Sequence, residues 1–192
     1  MADSGANLAN RTSPLSGFHG GSSTVRLEAA PPAERISLRA RAEDVAALSS
    51  ALGVDLPVRP KTSASANGRS ALWLGPDEWL VIAEGYGGLM QAAKNSGALH
   101  SATDVSHRNT AILVSGPGAA AAINAGCPQD LSLKAFPVGA CSRTVFGKVE
   151  IVLLRTGDAS FRMEVWRSFS DYAFGLLAEG AQDAAVYDNS LT

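Results

Sequence analysis

The sequence predicts an α+β protein made of two related β-α-β-β-α units that form a mixed or antiparallel sheet. Segments with an apolar residue at every second position, the pattern of a strand, alternate with segments of helical spacing. The order of these segments recurs in the second half of the chain, which is typical of an internal duplication. With 192 residues, 46% of them hydrophobic, the chain can bury a core without disulfides or metal ions.

The first unit is expected over residues 24–100, in the order strand, helix, hairpin and helix. The expected bounds are residues 35–40, 42–52, 71–83 and 87–96. Gly53 is expected to end the first helix, because glycine adopts the left-handed conformation of a helix C-terminus at no steric cost. Residues 85–90 (GYGGLM) superficially match a dinucleotide fingerprint, but Met90 stands where close packing needs a small residue, so we interpret them as a helix-entry turn.

The second unit is expected over residues 101–192 and repeats this order with one additional strand. Its predicted elements are a strand over residues 110–114, a helix ending by Gly126, strands over 142–146, 149–155 and 161–166, and a helix over 172–179. Pro117 is predicted at the first position of the first helix. Ser168 and Asp171 are predicted to form a capping box at the start of the second.

Residues 1–23 are predicted to be a flexible tail, since they are rich in Gly, Ser, Asn and Ala and carry few large apolar groups. Pro14 restricts the backbone beside Leu15, and Phe18 follows on the same segment. Pro14, Leu15 and Phe18 are therefore candidates for contact with a partner protein, on which the tail would become ordered.

The charge balance excludes whole classes of partner. Sixteen Lys and Arg residues against eighteen Asp and Glu give a net charge of -2, without the positive excess that nucleic-acid binding requires. No apolar run approaches the length of a membrane span, and the N-terminus lacks the pattern of a signal peptide. We expect a soluble, cytoplasmic protein that binds neither nucleic acid nor membrane.

Few residues form a pattern that predicts catalysis. Asp104, Ser106 and His107 lie within four positions, but no nucleophile is marked beside them, and a turn held by backbone hydrogen bonds is the preferred interpretation. Cys127 and Cys141 lie in no activating or metal-binding motif and are interpreted as reduced structural thiols. The three histidines share no metal-ligand spacing. The sequence therefore predicts no catalytic, cofactor-binding or metal-binding residue in this chain.

Three charged residues in the last third of the chain each have two possible roles. Glu150 lies in an otherwise apolar strand, where it either faces solvent or acts in a polar cleft. Arg162 and Arg167 flank Trp166 and either bind a small carboxylate or pair with acidic residues at the surface.

Several motifs, in order and spacing, resemble a known family. Residues 104–120 resemble a segment of the aminomethyltransferase (glycine cleavage T-protein) superfamily. Within it, the chain is similar over about residues 13–177 to the gamma subunits of heterotetrameric sarcosine oxidases. The motifs are residues 13–15 (SPL), 72–81 (LWLGPDEWLV), 104–107 (DVSH), 130–133 (DLSL) and 167–172 (RSFSDY).

The resemblance implies the aminomethyltransferase folate-binding fold and a place in a complex of four unlike subunits. Such complexes demethylate sarcosine to glycine with O₂, giving hydrogen peroxide and, with tetrahydrofolate, 5,10-methylenetetrahydrofolate. The resemblance implies FAD, FMN, NAD, the folate site and zinc in the other subunits, and no cofactor in this one. Folate enzymes of the superfamily carry acidic residues after a Gly-Gly turn, whereas residues 146–151 (FGKVEI) supply one Gly and Glu150.

The first hypothesis is therefore a non-catalytic assembly subunit whose main contact is the alpha subunit, with the beta and delta subunits in the same complex. One alternative is a free-standing folate-dependent one-carbon transferase that uses Glu150 or Asp104. Another is a binding module for small carboxylates that uses Arg162 and Arg167.

Overall fold

A computed structural model describes residues 14–85 and 87–189. Its strands are β1 (His19–Gly21), β2 (Arg26–Ala29), β3 (Ala33–Ala40), β4 (Ser63–Ala66), β5 (Arg69–Gly75), β6 (Glu78–Glu84), β7 (His100–Asp104), β8 (Asn109–Ser115), β9 (Cys141–Phe146), β10 (Val149–Gly157) and β11 (Ser160–Trp166). Its α-helices are α1 (Val45–Leu52), α2 (Leu89–Asn95), α3 (Ala119–Asn124) and α4 (Ser170–Asn189). Short 3-10 turns, Ala42–Asp44 and Arg167–Phe169, precede α1 and α4.

The strands form two antiparallel sheets. The five-stranded sheet has the order β4-β5-β6-β3-β7, and the six-stranded sheet has the order β1-β2-β8-β11-β10-β9. The predicted α+β class and antiparallel pairing are confirmed. The two repeated units do not share one sheet, however, because most strands of the first unit lie in the five-stranded sheet and most strands of the second lie in the six-stranded sheet.

Three apolar clusters show that the sheets pack face to face with helices on both outer sides. One joins α1 and α2 to the five-stranded sheet, and another joins α3 and α4 to the six-stranded sheet. The third lies between the sheets and includes Leu72, Leu80, Cys141 and Leu154. Because β6 has both faces covered, it is buried over almost its whole length, which explains its unbroken apolar sequence.

The helix ends follow the sequence signals in part. Gly53 ends α1 in the left-handed conformation with φ of 64°, as predicted. The turn before α2 is held by Glu34, whose carboxylate accepts hydrogen bonds from the backbone N–H groups of Gly87 and Leu89, both at 2.8 Å. Gly87 and Gly88 thus lie at the entry of α2, where a carboxylate of this chain binds the backbone N–H groups.

The structure corrects two predicted helix starts. Pro117 lies in the turn before α3, whose N-cap is Gly118. The predicted capping box at Ser168 falls within the 3-10 turn, and α4 begins at Ser170, whose hydroxyl donates to the Arg167 carbonyl at 2.8 Å. Helix α4 also extends ten residues past its predicted end at residue 179, because α3 and the six-stranded sheet cover its apolar side.

Close packing explains the position of one glycine in α4. A Cβ on Gly180 would lie 2.6 Å from the carbonyl oxygen of Ala122 in α3. The two helices can therefore approach each other only with glycine at this position. Among the described residues, no helix has the length and apolar character needed to cross a membrane.

The N-terminal segment corrects the predicted tail over residues 14–23. Leu15 is only 3% exposed and belongs to the core beneath α4, and residues 19–21 form the edge strand β1. Phe18 packs edge-on against Phe174 of α4, with ring centroids 5.3 Å apart. Predicted tail residues 1–13 lie outside the described residues.

The sheets do not divide the chain at the expected boundary of residue 100. Strand β2, near the start of the first predicted unit, pairs with β8 in the six-stranded sheet, with Leu27 opposite Val114. Strand β7, which extends past residue 100, pairs with β3 in the five-stranded sheet. The segment containing β1 and β2 therefore links the two halves by strand pairing.

Candidate functional site

A buried cluster of three charged side chains lies between the two sheets. Arg35 of β3 donates from Nε to Glu164 Oε2 of β11 at 2.7 Å and from Nη2 to Oε1 at 3.3 Å. Arg162, two residues before Glu164 and on the same face of β11, donates from Nε to Oε1 at 2.8 Å. The side chains of Arg35 and Glu164 are 3% and 1% exposed. We call Arg35, Arg162 and Glu164 the buried charge cluster.

The buried charge cluster holds more positive than negative charge, because one carboxylate faces two guanidiniums. Arg35 satisfies a further donor by hydrogen bonding from Nη1 to the carbonyl of Ala33 at 2.9 Å. Nη2 of Arg162 is buried and has no hydrogen-bond partner within the described structure. The guanidinium is paired with Glu164 through Nε, so Nη2 is the donor of this side chain that still requires an acceptor.

A cavity of about 560 Å³ lies between the sheets beside Arg162. Apolar side chains, including Ile82, Leu113 and Leu154, form much of its wall, and Glu84 lies at its exposed rim. The size and mainly apolar lining are those of a small-molecule site, and Arg162 supplies a cationic group.

Asp104 and Ser106 form the turn that the sequence predicts. Asp104 Oδ1 accepts the backbone N–H of Ser106 at 2.8 Å, and the hydrogen bonds from Ser106 hold the pKa of Asp104 below its usual range. The Ser106 hydroxyl accepts the backbone N–H of Arg35 at 2.9 Å and so ties this turn to the buried charge cluster. The second Asp-x-Ser motif forms the same turn, with Asp130 accepting the Ser132 N–H at 2.8 Å.

The remaining candidate nucleophile and base positions lie apart from one another. His107 is exposed and borders a shallow hollow of about 220 Å³ next to Arg35. Cys127 and Cys141 are both free thiols buried in different apolar clusters. Burial raises the pKa of Cys141 to about 11, which keeps that thiol protonated and unreactive at neutral pH.

Glu150 lies away from the cavity beside Arg162. It is exposed on β10 and borders a cleft of only about 40 Å³, which also contains Arg143 and Glu78. Arg143 donates to Glu78 and so bridges the sheets at this end. Gly147 forms the tight turn between β9 and β10 with φ of 57°.

The structure separates the two arginines of the carboxylate hypothesis. Arg162 lines the cavity between the sheets, whereas Arg167 lies after β11 and lines hollows beside the segment containing Pro14. Of the two, only Arg162 belongs to the buried charge cluster.

An exposed group of aromatic side chains lies where β11 leads into α4. Trp166, Phe169 and Tyr172 are 39%, 42% and 43% exposed, and the rings of Trp166 and Phe169 stack with centroids 6.1 Å apart. The guanidinium of Arg108 lies 5.0 Å from the centre of the Trp166 ring. We call Trp166, Phe169, Tyr172 and Arg108 the aromatic patch.

Sequence reasoning missed both the buried charge cluster and the aromatic patch as units. Glu164 carries no local signal, because the alternation of Phe161, Met163 and Val165 assigns it to the opposite, polar face of β11. Arg35 likewise lies on the face of β3 opposite to Ile36 and Leu38, and this face is buried only because the second sheet covers it. No pattern of neighbouring residues indicates that Arg35 and Glu164, on separate sheets, form an ion pair.

Comparison with known structures defines the class of fold. The aminomethyltransferase T of the glycine cleavage system from Bartonella henselae superposes with a TM-score of 0.62 at 18% identity. That match covers 80% of this chain and 45% of the other, and it shows the aminomethyltransferase fold. A chain of the heterotetrameric sarcosine oxidase from Corynebacterium sp. U-96, solved in complex with pyrrole 2-carboxylate, superposes with a TM-score of 0.84 at 27% identity. That match covers 91% of this chain and 96% of the other.

The sequence comparisons define the family within this class. The sequence model of the sarcosine oxidase gamma subunit family matches residues 39–185. The sarcosine oxidase subunit gamma of Arthrobacter sp. is 37% identical over 120 residues, which are 60% of this chain and 59% of that relative. The chain belongs to the sarcosine oxidase gamma subunit family, as the sequence motifs suggest.

Proposed function

We propose that this chain is the non-catalytic assembly subunit of a heterotetrameric sarcosine oxidase and that it contacts the large alpha subunit through the aromatic patch. The complex oxidises sarcosine to glycine with O₂, and it yields hydrogen peroxide and, with tetrahydrofolate, 5,10-methylenetetrahydrofolate. FAD, FMN, NAD, the folate site and zinc belong to the other subunits, and the complex acts in the cytoplasm.

The aromatic patch is the observation that carries this proposal. Trp, Tyr and Arg are the residues most enriched among the energetic centres of protein interfaces. Trp166 and Phe169 stack with a large part of both rings exposed, Arg108 lies against Trp166, and Tyr172 is exposed three residues further along the chain. Burial of these rings against a partner stabilises the complex, because each removes apolar area from water.

The environments of the predicted chemical groups support a structural role. Asp104 and Ser106 hold a turn, and Glu164 neutralises Arg35 between the sheets. Cys141 is buried with a raised pKa. Each of these groups is engaged in holding the fold.

Co-expression with the alpha, beta and delta subunits tests the assembly role. The double variant Trp166→Ser with Phe169→Ser should reduce recovery of this chain with the alpha subunit at least 10-fold, since each hot-spot ring accounts for about 2 kcal/mol. Val58→Ser with Leu99→Ser is the matched control, because those side chains are 71% and 66% exposed outside the patch. Recovery of the patch variant at the control level would show that the alpha subunit binds elsewhere.

The assembled oxidase also tests the non-catalytic role. His107→Asn and Asp104→Asn should leave sarcosine turnover within a few-fold of the parent complex, whereas loss of a catalytic base costs about 100-fold or more. A loss of that size in a complex of normal composition would place catalysis in this chain.

A further inference from the structure

We propose that the cavity between the sheets is a binding site for a small monocarboxylate with an apolar body, whose carboxylate pairs with Arg162. This site is distinct from the aromatic patch and is independent of the proposed assembly role. The inference rests on the charge of the buried cluster, on the unused donors of Arg162 and on the lining of the cavity.

The buried charge cluster lacks one negative charge. Glu164 contributes a single carboxylate, and both Arg35 and Arg162 are bonded to it. Arginine stays protonated in proteins, so proton loss cannot restore neutrality. A bound monoanion beside Arg162 balances the cluster.

Arg162 has the donors that such an anion needs. Its Nε is bonded to Glu164, whereas its buried Nη2 has no hydrogen-bond partner within the described structure. A guanidinium binds a carboxylate best through two parallel N–H donors, and the Nη1 and Nη2 pair provides that geometry. Arg35 is less suitable, because Nε, Nη1 and Nη2 already donate to Glu164 and Ala33.

The other arginine at the cavity is already engaged elsewhere. Arg155 donates from Nη1 and Nη2 to the carbonyls of Asp158 and Leu131, and its guanidinium lies 4.4 Å from the centre of the Phe161 ring. Its buried Nε has no hydrogen-bond partner within the described structure, but a single donor cannot form the two parallel bonds of a guanidinium–carboxylate pair. Of the two arginines at the cavity, Arg162 is therefore the one with two terminal nitrogens left for a ligand.

The lining of the cavity indicates the polarity, charge and size of the ligand body that fits beside the carboxylate. Pro31, Ile82, Leu113 and Leu154 present apolar surface, which favours a hydrocarbon or aromatic body over a sugar or a phosphate. Glu84 at the rim repels a second negative charge. The volume of about 560 Å³ accommodates a ligand of benzoate or cyclohexanecarboxylate size with space to spare.

Nuclear magnetic resonance of the full chain tests the proposal directly. The Nε resonance of Arg162 is followed during titration with benzoate and with cyclohexanecarboxylate at constant ionic strength, and benzamide is the neutral control. We expect a saturable shift of this resonance with both carboxylates and binding at least 10-fold weaker with benzamide. The absence of saturation, or equal binding of benzamide, would overturn the proposal.

Two variants test the site itself. Arg162→Met should weaken benzoate binding at least 10-fold, and Arg26→Met, whose side chain lies on the surface, should leave it unchanged. Val138→Trp keeps Arg162 and fills the cavity from its exposed wall, so it should weaken binding to a similar degree even where Arg162→Met fails to fold. Parent-like affinity in Val138→Trp, measured by calorimetry, would show that benzoate binds outside the cavity. Such a result would leave the assembly role unaffected, since assembly is measured by recovery of the subunits.

Discussion

Arg35 and Glu164 form a buried ion pair that joins the five-stranded sheet to the six-stranded sheet, although they lie 129 positions apart in sequence. The Nε of Arg35 lies 2.7 Å from Oε2 of Glu164, and both side chains are almost fully removed from solvent. Loss of one member leaves an uncompensated charge between two apolar faces, so the pair fixes how the sheets face each other.

Glu164→Gln should destabilise the fold strongly. The amide keeps the shape of the carboxylate but leaves Arg35 and Arg162 without a counter-charge, at a cost of about 3 kcal/mol or more. For a chain of this size we expect the melting temperature to fall by roughly 6–12 °C. Glu28→Gln, at an exposed ion pair with Arg26, is the control and should change stability by at most about 0.5 kcal/mol. Equal melting temperatures for the two variants would contradict a structural role of the buried pair.

Asp104→Asn should lower stability at pH 7 but not at low pH. Hydrogen bonds from Ser106 lower the folded-state pKa of Asp104, so its carboxylate stabilises the fold above its unfolded pKa of about 4. That contribution is lost as the pH falls through the folded-state pKa. Melting curves of parent and variant should therefore differ at pH 7 and converge towards pH 2.

The partner hydroxyl provides the control for this effect. Ser106→Ala removes the side-chain hydrogen bond, the larger of the two that lower the pKa of Asp104, but keeps the backbone N–H that Asp104 accepts. Adding Asp104→Asn to it should therefore cost less stability than Asp104→Asn does in the parent. Additive losses in the double variant would show that Asp104 acts independently of Ser106.

Cys141 should resist alkylation until the protein unfolds. Burial raises its pKa to about 11, so iodoacetamide at pH 8 meets a protonated, inaccessible thiol. We expect labelling within minutes only in denaturant, whereas a thiol introduced by Ser101→Cys, on the surface of β7, should react at once. Rapid labelling of Cys141 in the native protein would show that the edge of β9 opens readily.

The raised pKa of Cys141 also gives an alkaline prediction. A group whose folded pKa is raised contributes stability that is complete below its unfolded pKa of about 8.5 and is lost as the pH rises towards 11. Denaturant unfolding of parent and Cys141→Ala should therefore show the parent losing more stability than the variant between pH 8 and pH 11. A parallel loss in both would contradict the burial of the thiol.

Leu15→Ala should destabilise the isolated chain by about 2–4 kcal/mol, because it leaves a cavity in the core beneath α4. Val58→Ala, at a side chain 71% exposed, is the control and should be nearly neutral. Unchanged melting of Leu15→Ala would instead support the prediction of a tail that contributes nothing to the isolated fold.

Pro14 and Phe18 stay candidates for partner contact, and Phe18→Ser tests this by the recovery assay used for the aromatic patch.

Much of the local structure and the family could be predicted from the amino-acid sequence. Alternation predicted the hairpin of β5 and β6, helical spacing with Gly53 predicted the end of α1, and the Asp-x-Ser spacing predicted the turn at Asp104. These features depend on neighbours within a few positions, where backbone preference and apolar period decide the conformation. The family motifs are likewise recognised by their order along the chain, which requires no knowledge of the fold.

Which face of each sheet meets the other, and what lies between them, follows only from the folded structure. Leu15 belongs to the core because α4, more than 150 positions away in the sequence, covers it. The composition of residues 14–23 does not indicate this contact. Arg35 and Arg162 gather around Glu164 only after β3 and β11 are placed face to face. The cavity likewise exists only where Ile82 of one sheet and Leu113 and Leu154 of the other face each other beside Arg162. These arrangements are set by the free energy of packing between residues that are far apart in the sequence, and local patterns do not reveal it.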